Sequence, residues 1–155
     1  MRRIAANKVL PYPFAQWDAN GVSNYLESDK TPANYVDAFD KEFNATDTTA
    51  ITPKWDNAAT NEVKLKRIIT QKWLALYPEG CEAWAEQRRT GYPKLFTVVK
   101  NNSSNTISTT DMIRRVFFNQ DYKTDNKALY DALVSKLGDA DNGGTRLWWD
   151  TGRNF

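Results

Sequence analysis

Carboxylates are the first side chains of this sequence that could do chemistry. Glu79, Glu82 and Glu86 lie close together in a segment whose spacing predicts a helix. Glycoside cleavage needs two carboxyl groups that flank a substrate cleft, and these usually come from different elements. A solvated helix face therefore explains the three carboxylates better than an active site.

Little in the sequence supports nucleophilic catalysis or cofactor chemistry. The sequence has no histidine, which excludes Ser-His-Asp and Cys-His catalytic arrangements. Cys81 is the single cysteine and falls on the apolar face of its predicted helix, so we expect a small core residue rather than a reactive thiol. No phosphate-cradling glycine loop and no Cys/His cluster is present, and we expect neither a cofactor nor a metal site.

One stretch partly matches a calcium-binding loop. It begins at Asp139 and reaches Asp150 at its twelfth position, the length of a helix-loop-helix calcium site. Gly143 at the fifth position offers no side-chain ligand, and the last position is Asp rather than the longer bidentate Glu. The pattern favours an ordinary turn over a cation site.

Composition and charge restrict the class of protein. The 155 residues include 41% hydrophobic residues, enough for one globular domain spanning 1–155. The formal net charge is +2 with interspersed signs, which argues against nucleic acid as a partner. No apolar stretch approaches the roughly 20 residues that span a bilayer, so the chain alone is expected to be soluble.

Hydrophobic spacing predicts the elements that would position these side chains. A mainly α architecture with long irregular loops is expected, with polar connections over 44–56 and 94–110 and a short extended run over 112–118. We expect Trp73 and Trp84 on the apolar faces of their helices, in the core. The predicted helices cover about 14–27, 31–43, 57–77, 79–89 and 125–137.

Two segments carry a resemblance to a known family. Residues 67–78 read Arg-Ile-Ile-Thr-Gln-Lys-Trp-Leu-Ala-Leu-Tyr-Pro, and residues 82–95 read Glu-Ala-Trp-Ala-Glu-Gln-Arg-Arg-Thr-Gly-Tyr-Pro-Lys-Leu. Further matches follow in order, Ile113-Arg114-Arg115 and Leu147-Trp148-Trp149-Asp150. With these motifs the chain closely resembles the C-terminal region of the SusD/RagB family.

The resemblance implies a SusD-like fold, of which this chain would be the C-terminal part only. Complete family members begin with a lipoprotein signal whose cysteine carries the lipid, and continue through tetratricopeptide-like helices. Those parts are expected to be absent here. The resemblance also implies a surface-exposed lipoprotein of the outer membrane of Bacteroidetes-type bacteria.

The implied function is glycan binding without catalysis. Members of the family hold oligosaccharide by stacking sugar faces on aromatic rings, and they work with a TonB-dependent SusC-type outer-membrane transporter. Trp55 and Tyr122 are the candidate glycan-binding residues, whereas Arg88 and Arg89 are expected to form internal ion pairs with Glu86. Two alternatives stay open: a structural or docking fragment without its own ligand site, and a glycan hydrolase.

Overall fold

The computed structural model describes Ala15 and residues 18–151, and no β-strand forms among them. The predicted mainly α class is confirmed. The chain divides into two compact units. The first comprises Met1–Tyr35 and Thr46–Leu95, and the second comprises Val36–Ala45 and Phe96–Phe155. The single-domain expectation stays a prediction. The α-helices are α1 Val22–Leu26, α2 Asn61–Ala75, α3 Gly80–Thr90, α4 Asp121–Asp125 and α5 Lys127–Leu137.

A helical hairpin of α2 and α3 forms the centre of the first unit, as predicted. Thr60 caps α2, because its hydroxyl accepts a hydrogen bond from the Val63 backbone N–H at 3.3 Å. At the other end of the hairpin Gly91 terminates α3 with φ 71°, a left-handed conformation that glycine adopts without strain. Thr60 and Gly91 therefore mark where the hairpin begins and ends.

The Thr-Gly-Tyr turn after α3 is held by a threonine that is fully buried. The Thr90 hydroxyl donates to the Glu86 carbonyl oxygen at 2.7 Å and accepts from the Tyr92 N–H at 3.2 Å. The Tyr92 hydroxyl in turn donates to the Glu62 carboxylate on α2. These bonds tie the end of α3 back to the start of α2.

Apolar burial is concentrated in the first unit. All buried hydrophobic side chains among the described residues belong to it, namely Ile51, Ile69, Ala83 and Tyr92. In the described part of the second unit, the buried side chains are polar or charged: Arg114, Arg115, Thr145 and Asp150. In its described part, the first unit thus buries apolar side chains, whereas the second buries polar and charged ones.

Cys81 is exposed, so its prediction as a core residue was wrong. The buried residues of α3 are Ala83, Gln87 and Thr90. Cys81 precedes Ala83 by two residues, or about 200° around a helix with 3.6 residues per turn, and therefore lies on the opposite side. Trp73 and Trp84 are only partly buried, which corrects their placement in a closed core.

The helix predicted over 31–43 does not form. Aspartate side chains bind nearby backbone N–H groups there instead: the Asp37 carboxylate accepts from Phe39 and Asp40 at 2.9 and 2.8 Å. Such local bonds compete with helical ones, and only a 3₁₀ turn, Lys41–Phe43, follows. The apolar residues of the predicted face are exposed: Tyr35, Val36, Phe39 and Phe43.

Two other predicted helices are shorter than expected. Gly21, with φ 89°, precedes α1 rather than lying within a longer helix. Phe14 and Trp17, which belonged to that predicted stripe, lie outside the described residues. In the second unit Asn126 separates α4 from α5 and caps α5 through the Leu129 N–H at 3.1 Å. Among the described helices, none has the length and apolar content needed to cross a membrane.

Candidate functional site

An open cleft of about 580 Å³ lies beside Trp55 in the first unit. Three pieces of chain build it: the turn after α1, the irregular connection before α2, and one face of α2. Its volume falls within the range of about 300 to 1,000 Å³ that is typical of small-molecule sites. The side chains that line it and bear on its chemistry are Asp29, Lys54, Trp55, Asp56, Asn57 and Arg67.

The Trp55 ring is held in place by its own indole nitrogen. Nε1 donates a hydrogen bond to the Asn57 Oδ1 at 3.0 Å, and the residue is partly buried. A ring whose orientation is already set loses little conformational entropy when a flat apolar ligand face stacks on it. The structure therefore places the first sequence candidate where stacking is possible.

The walls of the cleft are cross-linked by polar contacts. The Lys54 backbone N–H donates to the Ser28 carbonyl at 3.3 Å, and the Lys54 ammonium pairs with the Asp29 carboxylate at 3.1 Å. Across the cleft, Arg67 of α2 donates from Nε to the Thr52 carbonyl oxygen at 2.9 Å. These contacts join segments that are far apart in sequence.

A second concavity of about 240 Å³ opens elsewhere on the first unit. Tyr25 of α1 and Gln71 of α2 meet there, with the tyrosine hydroxyl donating to Oε1 at 2.8 Å. Leu74 and Ile51 contribute apolar lining. Because this space is smaller and has no tryptophan in its lining, it fits a sugar-stacking site less well than the Trp55 cleft does.

Tyr122, the other sequence candidate, lies on α4 in the second unit and is 40% exposed. Its backbone anchors the short helix, since its N–H donates to the Asn119 carbonyl at 3.1 Å and its carbonyl accepts from Asn126 at 3.2 Å. Trp55 and Tyr122 thus belong to different units. The Tyr122 ring is accessible, but neither the Trp55 cleft nor the smaller concavity includes it.

Two of the three carboxylates considered for hydrolysis, Glu82 and Glu86, are engaged in ion pairs. Glu86 pairs with Lys72 at 2.9 Å and with Arg89 at 2.6 Å, and Glu82 also approaches Lys72, at 3.5 Å. Partial burial raises the pKa of Glu86, but hydrogen bonds from Arg89 and Lys72 outweigh this, so the net pKa is lowered. A carboxyl group held in its charged form is poorly suited to act as a general acid.

The predicted ion pair with Glu86 is confirmed for Arg89. The neighbouring Arg88 side chain stacks on Trp84, with the guanidinium carbon 3.7 Å from the ring centroid. Both residues belong to α3, four apart, where side chains meet on one face. The Arg88 contact with Trp84 is a cation–π interaction within the helix.

Two of the three aspartates of the calcium-like loop, Asp141 and Asp150, have arginine partners. Asp141 accepts from Arg115 at 2.5 Å, and Asp150 pairs with Arg114 at 2.6 Å and Arg146 at 2.7 Å. Among the described residues, no group of three or more Asp, Glu, Cys or His side chains is arranged to hold a metal ion. The Arg-Arg motif and the loop thus form an ion-pair cluster in the second unit.

Acid should weaken this cluster. Burial raises the pKa of Asp141. Hydrogen bonds from Arg115, the Phe118 N–H and the Tyr130 hydroxyl lower this pKa by a larger amount, so the net pKa is lowered. A lowered folded-state pKa stabilises the protein above the ordinary carboxyl pKa of about 4, and this contribution is lost as pH falls through the folded value. We therefore expect the free energy of unfolding to fall below about pH 4.

Urea titrations from pH 2.5 to 7 on the parent and on Asp141→Asn would measure this dependence. The variant should be less stable near neutral pH, and its stability should fall less steeply in acid. Glu86, whose pKa is also lowered, is present in both proteins and cancels in the comparison. Parallel pH profiles for the two proteins would contradict the assigned role of Asp141.

Sequence reasoning missed most residues of the cleft. Asp29, Lys54 and Arg67 are separated by up to 38 positions, so no local pattern groups them. Arg67 is the first residue of the segment 67–78 that resembles the family, but nothing in that motif indicates that its side chain faces a ligand. The irregular composition around Trp55 was the usable signal, because ligand-binding residues are common on such segments.

Comparison with known proteins identifies the family. A model of the SusD-like family, described as SusD and RagB outer membrane lipoprotein, matches residues 7–150. A search of curated proteins found no match. Among solved structures, a chitin-binding SusD homologue from Flavobacterium johnsoniae is 49% identical with a TM-score of 0.85, and this chain aligns over 94% of its own length.

SusD homologues from two other bacteria are also similar. The one from Bacteroides vulgatus is 50% identical with a TM-score of 0.84, and one from Bacteroides thetaiotaomicron is 36% identical with a TM-score of 0.83. This chain aligns over 94% of its length with each, yet it spans only 30% to 32% of the three related chains. The motifs, the helical fold and these matches together establish that the chain belongs to the SusD-like family.

Proposed function

We propose that this chain contributes to glycan binding in an outer-membrane polysaccharide-uptake system, in which the protein delivers oligosaccharide to a TonB-dependent SusC-type transporter. Membership of the SusD-like outer membrane lipoprotein family supports this role. A relative with 49% identity binds chitin. Because the chain spans under a third of that relative's length, the activity of the whole protein is part of the proposal.

The observation that carries the proposal is the tryptophan held at the Trp55 cleft. Stacking of a pyranose needs a flat aromatic face with polar groups beside it for the sugar hydroxyls. The cleft supplies the Trp55 ring together with the polar side chains of Asp56, Asn57 and Lys54. Trp55 is therefore the proposed glycan-contacting residue, with Tyr122 as a second candidate.

The proposed role is binding without cleavage. A retaining or inverting glycosidase places two carboxyl groups about 5 to 10 Å apart across the scissile bond. At the cleft Asp29 is paired with Lys54, and Asp56 Oδ1 accepts from the Ala58 N–H at 2.8 Å.

Trp55→Ala is expected to weaken glycan binding at least tenfold, about 1.4 kcal/mol, because it removes the stacking face. Calorimetry with N-acetylglucosamine oligomers is the first measurement, since one relative binds chitin. Trp148→Ala, at a ring that is 91% exposed in the second unit, is the matched control and should leave affinity unchanged. Tyr122→Ala tests the second candidate.

Equal losses for Trp55→Ala and Trp148→Ala would indicate that exposed tryptophans bind the oligomer without a defined site. A loss confined to Tyr122→Ala would move the site to the second unit. Unchanged affinity in all three variants would place any glycan site outside these rings and contradict the assignment of Trp55.

The exposure of large apolar side chains supports a second function, a structural or docking role without a ligand site. Phe39 is 100% exposed, Trp148 91%, and Val36 and Tyr77 are each 71% exposed. Exposed apolar residues of this size are typical of surfaces that pack against another protein. Glycan binding by a longer family protein, with none by this chain at millimolar oligomer, would favour this function.

A further inference from the structure

We infer that the Trp55 cleft selects neutral glycans over anionic ones, an inference that rests on the glycan-binding function proposed above. It depends on three features of the cleft: its balance of charges, the occupied hydrogen-bonding edge of a buried arginine, and the position of an exposed carboxylate. Each concerns residues of the first unit alone.

The ionised side chains of the cleft balance one another. Two cations, Lys54 and Arg67, face two carboxylates, Asp29 and Asp56. Lys54 and Asp29 are paired directly at 3.1 Å. Anionic ligands are drawn to sites where positive charge dominates. The formal charges of these four side chains sum to zero, so the cleft has no excess positive charge to attract a uronic acid or a sulfated sugar.

Arg67 is bound to the protein on one of the two guanidinium edges that can grip a carboxylate. Only 8% of the residue is exposed, and it donates from Nε to the Thr52 carbonyl at 2.9 Å and from Nη2 to the Thr52 hydroxyl at 3.4 Å. Arginine binds carboxylates most strongly through two parallel N–H groups on one edge. Thr52 occupies the edge formed by Nε and Nη2.

The third nitrogen of Arg67 has no hydrogen-bond partner in the described part of the chain. Nη1 is also buried. Because the protein encloses this nitrogen and Thr52 occupies the Nε–Nη2 edge, neither is available to grip a ligand carboxylate in the cleft.

Asp56 and Asn57 complete a lining suited to hydroxyl groups. The exposed Asp56 carboxylate accepts hydrogen bonds from sugar hydroxyls but repels a ligand carboxylate. Asn57 uses its oxygen for the Trp55 indole, which leaves its amide nitrogen as the donor. The cleft therefore offers an acceptor and a donor beside the stacking ring.

Calorimetric titration of the full chain with three oligomers tests the inference: N-acetylglucosamine, β-linked glucose and galacturonate, each at 20 mM and 500 mM NaCl. We expect a neutral oligomer to bind at least tenfold more tightly than oligogalacturonate, with an affinity that changes less than threefold between the two salt concentrations. Preferred binding of oligogalacturonate that weakens in salt would overturn the inference while leaving the glycan-binding function intact. Failure of all three to bind would overturn both.

Asp56→Lys gives an independent test, because it changes the charge of the cleft by two units. We expect this variant to gain at least tenfold in affinity for oligogalacturonate at 20 mM NaCl and to lose most of that gain at 500 mM. Asp125→Lys makes the same charge change on exposed α4 in the second unit and should show no gain. Equal gains in both variants would mean that overall protein charge, rather than the cleft, sets selectivity.

Discussion

Asp150→Ala is expected to lower the free energy of unfolding by about 3 to 5 kcal/mol, because it leaves a buried arginine without its counter-charge. Arg114 Nε and Nη2 both approach the Asp150 Oδ2, at 2.7 and 2.6 Å, and each residue is only 5% exposed. Arg146 pairs with the other carboxylate oxygen at 2.7 Å. Truncation of Asp150 removes all three contacts.

The expected loss is large because the second unit has little else buried. In its described part the buried side chains are polar or charged, so no apolar core compensates for a broken ion pair. Arg114 bridges from its own segment to Asp150, 36 residues later in the chain. We therefore expect the unit to lose cooperative folding together with this pair.

Urea denaturation followed by circular dichroism would measure the effect. Asp131→Ala is the matched control, because its partner Lys127 is 75% exposed and such surface pairs contribute about 0.2 to 1 kcal/mol. In the double variant Arg114→Met/Asp150→Leu, part of the lost stability should return, since neither partner of this pair is left as an unpaired buried charge. Equal effects of Asp150→Ala and Asp131→Ala would contradict this account.

Gly144→Ala is expected to cost about 2 to 3 kcal/mol, as overpacking of a closed site does. A Cβ atom at this position would overlap the backbone carbonyl oxygen of Thr106. A backbone carbonyl cannot turn aside as a side chain can, so the loop from Asn142 to Thr145 must shift. That shift strains the Asn142 Oδ1 contacts with the N–H groups of Gly144 and Thr145, at 2.8 and 3.1 Å.

Two other glycines provide matched controls for the same added methyl group. At Gly143 the nearest atom is the terminal methyl of Ile107, 2.8 Å from the built Cβ, and a side chain end can move at lower cost. At Gly80, in the first turn of α3, nothing lies within 4 Å, so alanine should be neutral or stabilising by up to about 1 kcal/mol.

The three alanine variants should rank Gly144, Gly143, Gly80 in decreasing loss of stability. Thermal or urea unfolding would give that order directly. A Gly144→Ala variant as stable as the parent would mean that Thr106 and Gly144 do not approach closely in solution.

Elements whose signals are local could be predicted from the sequence alone. Thr60 and Gly91 bound the helical hairpin where their capping chemistry predicts. The family was equally readable, because the motifs of residues 67–78 and 82–95 are contiguous in the chain. Helical class and family membership therefore required no tertiary information.

Two predictions from local patterns were wrong, the helix over 31–43 and the burial of Cys81. Over 31–43 the apolar spacing favoured a helix, but the Asp37 carboxylate binds the N–H groups of Phe39 and Asp40 and holds the chain in turns. For Cys81 the predicted apolar face was wrong, because contacts between α2 and α3 decide which side of α3 is buried. The spacing of apolar residues alone does not identify which side of a helix packs against a neighbouring helix.

Which charged residues form ion pairs depends on the tertiary structure and could not be predicted from the sequence. Asp150 pairs with Arg114 across 36 positions, and Asp29 pairs with Lys54 across 25. Ion pairs of this kind leave no periodic trace, since each depends on where separate segments come together in space. The cleft at Trp55 arises in the same way, because its walls belong to three segments that only folding brings together.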